Sequence, residues 1–165
     1  MVIRTATPED AERLARLNAI VQDLHVAHRP DQFKTVSADE LAAWFRTLLG
    51  NPRVHMWIAE EDGVPIGFVS AGFHDRPATP FTPPRRWCEM DQIAVDPEWR
   101  GKGIGQALMR TLVEKAQTEG VRHIETASWS FNEDAHQVFE RFGFRPKLLR
   151  FELILGDERG GSPQA

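Results

Sequence analysis

Tyrosine is absent from all 165 residues of the chain, and cysteine occurs once, as Cys88. A single thiol cannot close an intrachain disulfide, so the fold requires no oxidising compartment. Without a phenol, no tyrosine is available as a proton donor, and a phenyl ring has no proton to give in its place. No run of about 18 apolar residues exists, so no membrane-spanning helix is expected. The opening stretch MVIRTATPED lacks the apolar core of a secretory signal. The expectation is therefore a soluble, cytoplasmic protein. Excess positive charge is missing too: the net charge of −4 argues against a dedicated nucleic-acid binder. His25 and His28 stand three apart, but no HExxH run or other zinc-like spacing accompanies them, so no metal site is expected.

What is present is an ordinary globular balance, 41% apolar and 27% charged. The length suits one compact domain over residues 1–155. The glycine-rich, charged stretch 156–165 reads as a flexible tail. Val2 to Ala6 reads as a strand. Thr7, Pro8 and Asp10 start a helix, whose apolar face carries Leu14, Leu17, Val21 and Leu24 and which fades near His28 before Pro30. Ser37 and Glu40 form a capping-box pattern opening a second helix, with Leu41, Trp44, Phe45, Leu48 and Leu49 on its buried face. Val54 to Glu61 and Val64 to Phe73 are strands joined at Asp62-Gly63, a strong hairpin signal.

His74 to Arg86, with prolines at 77, 80, 83 and 84, reads as a long surface loop, because proline cannot serve a paired central strand. Trp87 to Val95 is a strand, followed by an Asp96-Pro97-Glu98-Trp99 turn and a helix bearing Ile104, Leu108, Leu112, Val113 and Ala116. His123 to Trp129 is a strand, Asn132 to Phe142 a helix stopped by Gly143, and Phe144 to Leu155 holds a last strand. The order β-α-α-β-β-β-α-β-α-β predicts a mixed, mostly antiparallel α/β sheet with helices on both faces.

The chemistry concentrates in Met90 to Gly105. A strand runs into a glycine-rich turn, and the turn opens a helix. A helix N-terminus carries unpaired N–H groups and partial positive charge, glycines admit a bulky anion, and Arg100 and Lys102 add positive charge. A phosphate or pyrophosphate belongs there. The spacing fits neither the dinucleotide G-x-G-x-x-G fingerprint nor a P-loop.

The run Arg100-Gly-Lys-Gly103-Ile-Gly105 resembles the R/Q-x-x-G-x-G/A signature of the GNAT superfamily of N-acetyltransferases. Ile93-Ala-Val-Asp-Pro is similar to that family's central strand and turn. Asn132-Glu-Asp-Ala135 and Phe139-Glu-Arg-Phe-Gly143-Phe144 resemble its downstream signature. The resemblance implies acetyl transfer from acetyl-CoA to a primary amine in a ternary complex. It implies that the backbone of Ile93, Ala94 and Val95 pairs with the pantetheine arm. The pyrophosphate would be held by Arg100, Gly101, Lys102, Gly103, Ile104, Gly105 and Gln106, while Asn132 would contact the pantetheine region and Phe139 would line the thioester end. It also implies that the strand before Asn132 splays away from the strand bearing Val95. Many family members carry a tyrosine where this chain has Phe139, so the tyrosine-acid route is closed to its own residues. Ser128, Ser130, Cys88 or water are the substitutes, unless a thiol leaving group needs no help.

An attacking amine must shed a proton. Glu89 is the first candidate for the base. It lies six residues before Val95, and regular alternation would put both on one face together with Asp91. Pairing of either carboxylate with Arg85 or Arg86 is the structural alternative. Cys88 raises the prospect of an acyl-cysteine. His25, His28 and His74 are weaker candidates for the acceptor side, against plain solvent-exposed ends. The run Arg141, Arg145, Lys147 and Arg150 is a solvated face or a hold for the adenosine 3′-phosphate. The proline-rich loop is a lid, a dimer contact or a stiff connection. The acceptor expected is a small-molecule amine; protein N-termini or lysines, and a non-catalytic acyl-CoA sensor, are the alternatives.

Overall fold

The computed structural model describes residues 1–155; the tail expected from 156 on lies outside them. The chain groups into two compact units, Met1–Phe131 and the part beginning at Asn132.

The first unit is a five-stranded sheet with spatial order β1-β2-β3-β4-β5. Its strands are β1 Val2–Thr5, β2 Val54–Glu61, β3 Val64–Arg76, β4 Arg85–Val95 and β5 Ile124–Thr126. The first four run antiparallel to their neighbours, and β5 lies parallel to β4. The helices are α1 Ala11–His28, α2 Ala38–Leu49 and α3 Ile104–Thr118. The hairpin at Asp62-Gly63 forms because both residues take positive φ, 49° and 76°, as the tight two-residue turn demands. Ser37 caps α2: its Oγ accepts from the Glu40 amide at 3.2 Å.

The two sheet faces are told apart by register. Phe68 opposes Ala94, and both join Leu14, Leu17 and Phe45 in one buried cluster, which fixes the side covered by α1 and α2. Phe45 meets Phe68 edge-on at 5.7 Å. Burying each such side chain contributes about 1.5–3 kcal/mol. On the other side α3 buries Ile104, Leu108 and Leu112. It comes so close that a Cβ at Gly67 would lie 2.9 Å from the Ala94 carbonyl and 3.3 Å from both Ile104 and Leu108.

The sequence expectations fail in two places here. The segment His74–Arg86 is not one long loop. β3 and β4 pair out to Asp75↔Arg86 and Arg76↔Arg85. All four prolines fall in the tip beyond these pairs, so none removes a ladder donor. The tip is closed by a Thr79↔Thr82 bridge, with the two hydroxyls 2.8 Å apart, and it leaves Phe81 94% exposed. The strand expected over His123–Trp129 shrinks to Ile124–Thr126.

The second unit holds α4, Glu133–Phe142, ended by Gly143 at φ 113°. No strand forms over 144–155, so the last β of the expected order is absent from the described residues. Phe151, Leu153 and Leu155 alternate but stay exposed. Alternation supplies a face, whereas a strand also needs a neighbour to take its backbone hydrogen bonds, and Pro146 has no amide to offer.

Candidate functional site

β4 leads the chain into the glycine turn. Asp96 tethers the turn by its amide, which donates to the Ile66 carbonyl at 2.9 Å, and its Oδ1 accepts from the Glu98 amide at 2.9 Å. Gly101 and Gly103 then take φ of 75° and 80°, a region that penalises every side chain with a Cβ. These reversals aim the chain into α3. The first intrahelical bond to the glycine turn is Ala107 N–H to Gly103 C=O, 3.0 Å. The amides of Ile104, Gly105 and Gln106 precede it and have no intrahelical acceptor. The first turn of α3 carries no acidic residue to occupy them.

Ile104 divides its roles: its side chain is buried in the core, and only its amide faces the turn. Lys102 Nζ sits 4.3 Å from the centre of the Trp99 ring, and Arg100 Nε donates to the Val95 carbonyl at 3.4 Å. Both cations therefore stay beside the loop. Free amides with cations beside them are groups that can receive an anion.

The edge of β4 beside this turn is open. β5 pairs with β4 only at Cys88, Glu89 and Met90, and Thr126 closes that ladder by donating its hydroxyl to the Met90 carbonyl at 3.0 Å. From Asp91 to Val95, β4 has β3 on one side and no strand on the other among the described residues. The splay expected from the resemblance is thus present. Its local cause is a bulge. Met90 opposes Ala71 and Gln92 opposes Ser70, so Asp91 is an extra residue on β4, and a bulge bends its strand and ends regular pairing. The Asp96 amide bonds the Ile66 carbonyl, so alternation turns the backbone groups of Ala94 to β3 and those of Ile93 and Val95 to this open edge, where an extended chain can pair with them.

The bulge also corrects the face assignment of Glu89. The pairs Gly72↔Glu89, Ser70↔Gln92 and Phe68↔Ala94 share the α1/α2 side. Val95 opposes Gly67, and its Cγ2 lies 3.7 Å from a Cβ built on Gly105 of α3. Glu89 and Val95 therefore face opposite ways, because the extra residue inverts the alternation between them. Glu89 and Asp91 still stand together, as expected.

Neither carboxylate is neutralised by the arginines that sequence offered. Arg85 pairs with Glu125, and Arg86 reaches Asp75 and Glu119, each at 3.5 Å. Glu89 instead accepts from the Trp87 indole N–H at 3.1 Å. Asp91 reaches solvent, yet the surrounding protein strips enough of its hydration to raise its pKa, and the Glu89 charge raises it further; His74 opposes both. His74 belongs to this group by position. Its ring stacks on Trp87 at 5.2 Å, and its Nε2 occupies the space above Gly72, directly across from Glu89. From sequence His74 had only a weak claim, because it stood just past the expected end of β3 at Phe73, and the pairing with Trp87 that brings it here cannot be read from either strand alone.

Cys88 faces the other side, across from Phe73, and is fully buried. Burial, then Asp91 and Glu89, push its pKa up to about 11, so it remains an inert thiol. The acyl-cysteine route and a Cys88 proton donor both lose their physical basis.

His25 and His28 are not bare helix ends. His25 stacks on Phe33 at 4.7 Å and His28 on Phe131 at 4.4 Å, while Phe33 meets Trp129 edge-on at 5.4 Å. The Arg29 guanidinium lies 5.0 Å from the Trp129 ring centre. Burial, then the neighbouring His28, lower the His25 pKa. This cluster ties the end of α1 to the segment after β5.

In the second unit, Asn132 caps α4 by accepting from the Ala135 amide at 3.4 Å. Phe139 packs its ring 5.7 Å from that of Phe144, and its carbonyl accepts from Phe144 N–H at 3.0 Å. Among the described residues no group of His, Cys, Asp and Glu could hold a metal ion, and no helix is long and apolar enough to cross a membrane.

Comparison with known proteins agrees with this geometry. A family model described as "Acetyltransferase (GNAT) family" matches residues 17–144. An uncharacterized N-acetyltransferase of Methanocaldococcus jannaschii is 33% identical over 107 residues, 64% of this chain and 46% of that protein. An L-amino acid N-acyltransferase of Escherichia coli is 31% identical over 154 residues, 87% of this chain and 79% of that one. The chain thus spans about half the length of the first relative and most of the second. A mutant of the BH1408 protein from Bacillus halodurans superposes with TM-score 0.89 at 25% identity, covering 94% of this chain and 100% of that one. A protein of Clostridium acetobutylicum described as a "predicted acetyltransferase" and solved with acetyl-CoA superposes with TM-score 0.68 at 22% identity over 93% and 96% of the two chains.

Proposed function

Because the chain belongs to the GNAT acetyltransferase family, we propose that it moves an acetyl group from acetyl-CoA to a primary amine of a small molecule. One observation carries the reading. The unpaired amides at the start of α3, the free edge of β4 and the carboxylates of its bulge follow one another along a single stretch, Glu89 to Gln106. Each part matches a part of the donor: diphosphate, pantetheine amides, thioester.

Acetyl-CoA supplies an activated acyl carbon. The amides of Gly101 to Gln106, with Arg100 and Lys102, hold its diphosphate, and Ile93 to Val95 extend the sheet onto its arm. Glu89 or Asp91 accepts the proton that the amine sheds, directly or through water. The amine nitrogen bonds to the acyl carbon, the carbon–sulfur bond breaks, and coenzyme A leaves with the electron pair of that bond. The carboxylate's proton can return to that sulfur, so the balance closes without a tyrosine. The roles of Asn132 and Phe139 at the pantetheine and thioester rest on the family resemblance. Phe139 in place of an acidic side chain is what favours the second reading, an acyl-CoA sensor without turnover.

The test is calorimetric titration with acetyl-CoA together with thiol release across an amine panel. The expected result is binding in the wild type, loss of at least about 100-fold in affinity in Gly103→Glu, where bulk and negative charge meet the diphosphate, and turnover with some amine. Undiminished affinity in Gly103→Glu would remove the site. Tight binding with no thiol release from any amine would leave the sensor.

A further inference from the structure

Glu89 is held by its own strand. The Trp87 indole N–H donates to its Oε2 at 3.1 Å. The two residues lie two apart on β4, ahead of the bulge, so alternation puts both on the α1/α2 side of the sheet. Trp87 is itself braced. From β3 the His74 ring stacks on it at 5.2 Å and 21°, and from two residues back the Arg85 guanidinium lies 4.9 Å from the ring centre. Arg85 is tied in turn to Glu125, which stands in register with Glu89 on β5. Two carboxylates thus share one rung of the sheet. The arginine goes to Glu125, and the neutral indole goes to Glu89. A guanidinium on Glu89 would stabilise its charged form strongly and so oppose the uptake of a proton. An indole N–H fixes direction with a weaker hold, and it can only donate. Just one carboxylate oxygen is used. Oε1 makes no hydrogen bond among the described residues and is not a buried atom, so it opens to solvent.

We propose that Trp87 is a positioning residue of the transfer reaction: its N–H anchors Glu89 through Oε2 and so presents Oε1 to the proton that the acceptor amine sheds. The inference rests on the acetyl-transfer reading. The proton moves from the amine nitrogen to Oε1, and the indole keeps its own. An untethered glutamate turns about its side-chain bonds, and holding one rotamer before the amine arrives removes that search from the reaction step. Trp87 touches neither donor nor acceptor in this role; it acts through Glu89, while His74 and Arg85 keep its ring in place.

Trp87→Phe keeps an aromatic ring beside His74 and Arg85 and removes the N–H. With the fastest amine among putrescine, benzylamine and alaninamide, it should lower kcat about tenfold and leave the KM for acetyl-CoA unchanged. It should also move the acid limb of the kcat profile to higher pH, because the charged carboxylate loses a donor. In a Glu89→Gln background the same substitution should change kcat by less than about twofold, since the group it acts through is gone. Equal losses in both backgrounds, or an unchanged kcat and pH profile for Trp87→Phe alone, would overturn the inference and leave Trp87 a packing residue. A Glu89→Gln enzyme as fast as wild type would overturn it too, with the transfer reading intact. Should Trp87→Phe not fold, the indole N–H resonance of Trp87, assigned through its backbone, decides. It should shift across the acid limb of the wild-type kcat profile and lose that shift in Glu89→Gln. A resonance indifferent to pH means that the indole does not bond Glu89 in solution, and the inference falls. Acetyl-CoA binding without turnover on any of the three amines would instead bring down the transfer reading, and this one with it.

Discussion

Two aspartates in this molecule are treated in opposite ways. Asp10 is 2% exposed, and its oxygens take both guanidinium nitrogens of Arg4 at 2.7 Å, the Thr7 amide at 2.9 Å and Arg13 at 3.3 Å. Hydrogen bonds from Arg4 above all, helped by the Thr7 amide and Arg13, hold its pKa far below the carboxylate range despite burial. Glu60 joins the same two arginines, so the network ties β1 and β2 to the start of α1. Asp91 has partial desolvation and a like charge next door, and its pKa goes up. The nearby Arg85 and Arg86 are committed to Glu125, Asp75 and Glu119. One corner uses ionic bonding to fix the fold, and the other sets two carboxylates side by side without an arginine between them. A perturbed pKa alone does not mark a reactive site; the direction of the shift and its cause do.

The comparison breaks most visibly in stability. Asp10→Ala should cost roughly 3 kcal/mol, because it removes the buried carboxylate shared by Arg4 and Arg13, leaving them Glu60 alone as an anionic partner, and takes the cap from the Thr7 amide. Asp91→Asn should stay within about 0.5 kcal/mol of wild type. Urea unfolding of both variants at neutral pH measures the contrast. Equal losses would mean that Asp91 is as structural as Asp10.

Turnover should reverse the ranking. Asp91→Asn is expected to lower kcat about 100-fold when Asp91 is the proton acceptor, with acetyl-CoA affinity retained. Glu89→Gln sharpens the assignment. Its charge is one cause of the raised Asp91 pKa, so removing it should lower that pKa and shift the acid limb of the kcat profile to lower pH. An acid limb unmoved by Glu89→Gln, together with unchanged kcat, takes Glu89 out of the proton path. The Asp10 variant, assayed well below its melting temperature, should retain the wild-type profile.

The same two regions show what a sequence makes legible. The Asp10 corner is local chemistry. Thr7, Pro8 and Asp10 announce a helix start, and the structure has Thr7 N–H donating to Asp10. The Ser37–Glu40 cap, the Asp62-Gly63 hairpin and the Gly101–Gly103 turn are legible for the same reason: their residues lie within a few positions and demand particular φ or particular donors. The bulge at Asp91 is different in kind. An extra residue exists only relative to the partner strand, so neither alternation nor propensity in β4 announces it. That single residue reversed the inferred face of Glu89 relative to Val95, put Gln92 on the same side of the sheet as Glu89, and left β4 open beyond Met90. The extra pairs at Asp75↔Arg86 and Arg76↔Arg85, and the missing strand after Gly143, failed for the same reason: pairing depends on a partner that local sequence does not contain.

The smallest effect isolates the sign of each shift. Asp10 has a depressed folded-state pKa, so its contribution is complete above the unfolded-state value near 3.9 and is lost as pH falls below it. Asp91 has a raised one, which means that the folded state holds its proton more tightly than the unfolded chain. Its ionisation therefore costs stability as pH rises from the unfolded value through the folded one, and the cost persists above. Because Asp91 touches solvent, screening should hold this cost to a few tenths of a kcal/mol. Asp91→Asn should accordingly be slightly more stable than wild type at pH 7 and lose that advantage at pH 3.5, while Asp10→Asn should keep most of its deficit at pH 3.5, because that deficit disappears only as pH falls on towards the far lower folded-state pKa of Asp10. Melting curves at the two pH values read both slopes. If the Asp91→Asn difference grew on acidification, its carboxylate would be bound like that of Asp10, and the division between a corner that holds the fold and a strand that takes protons would fail.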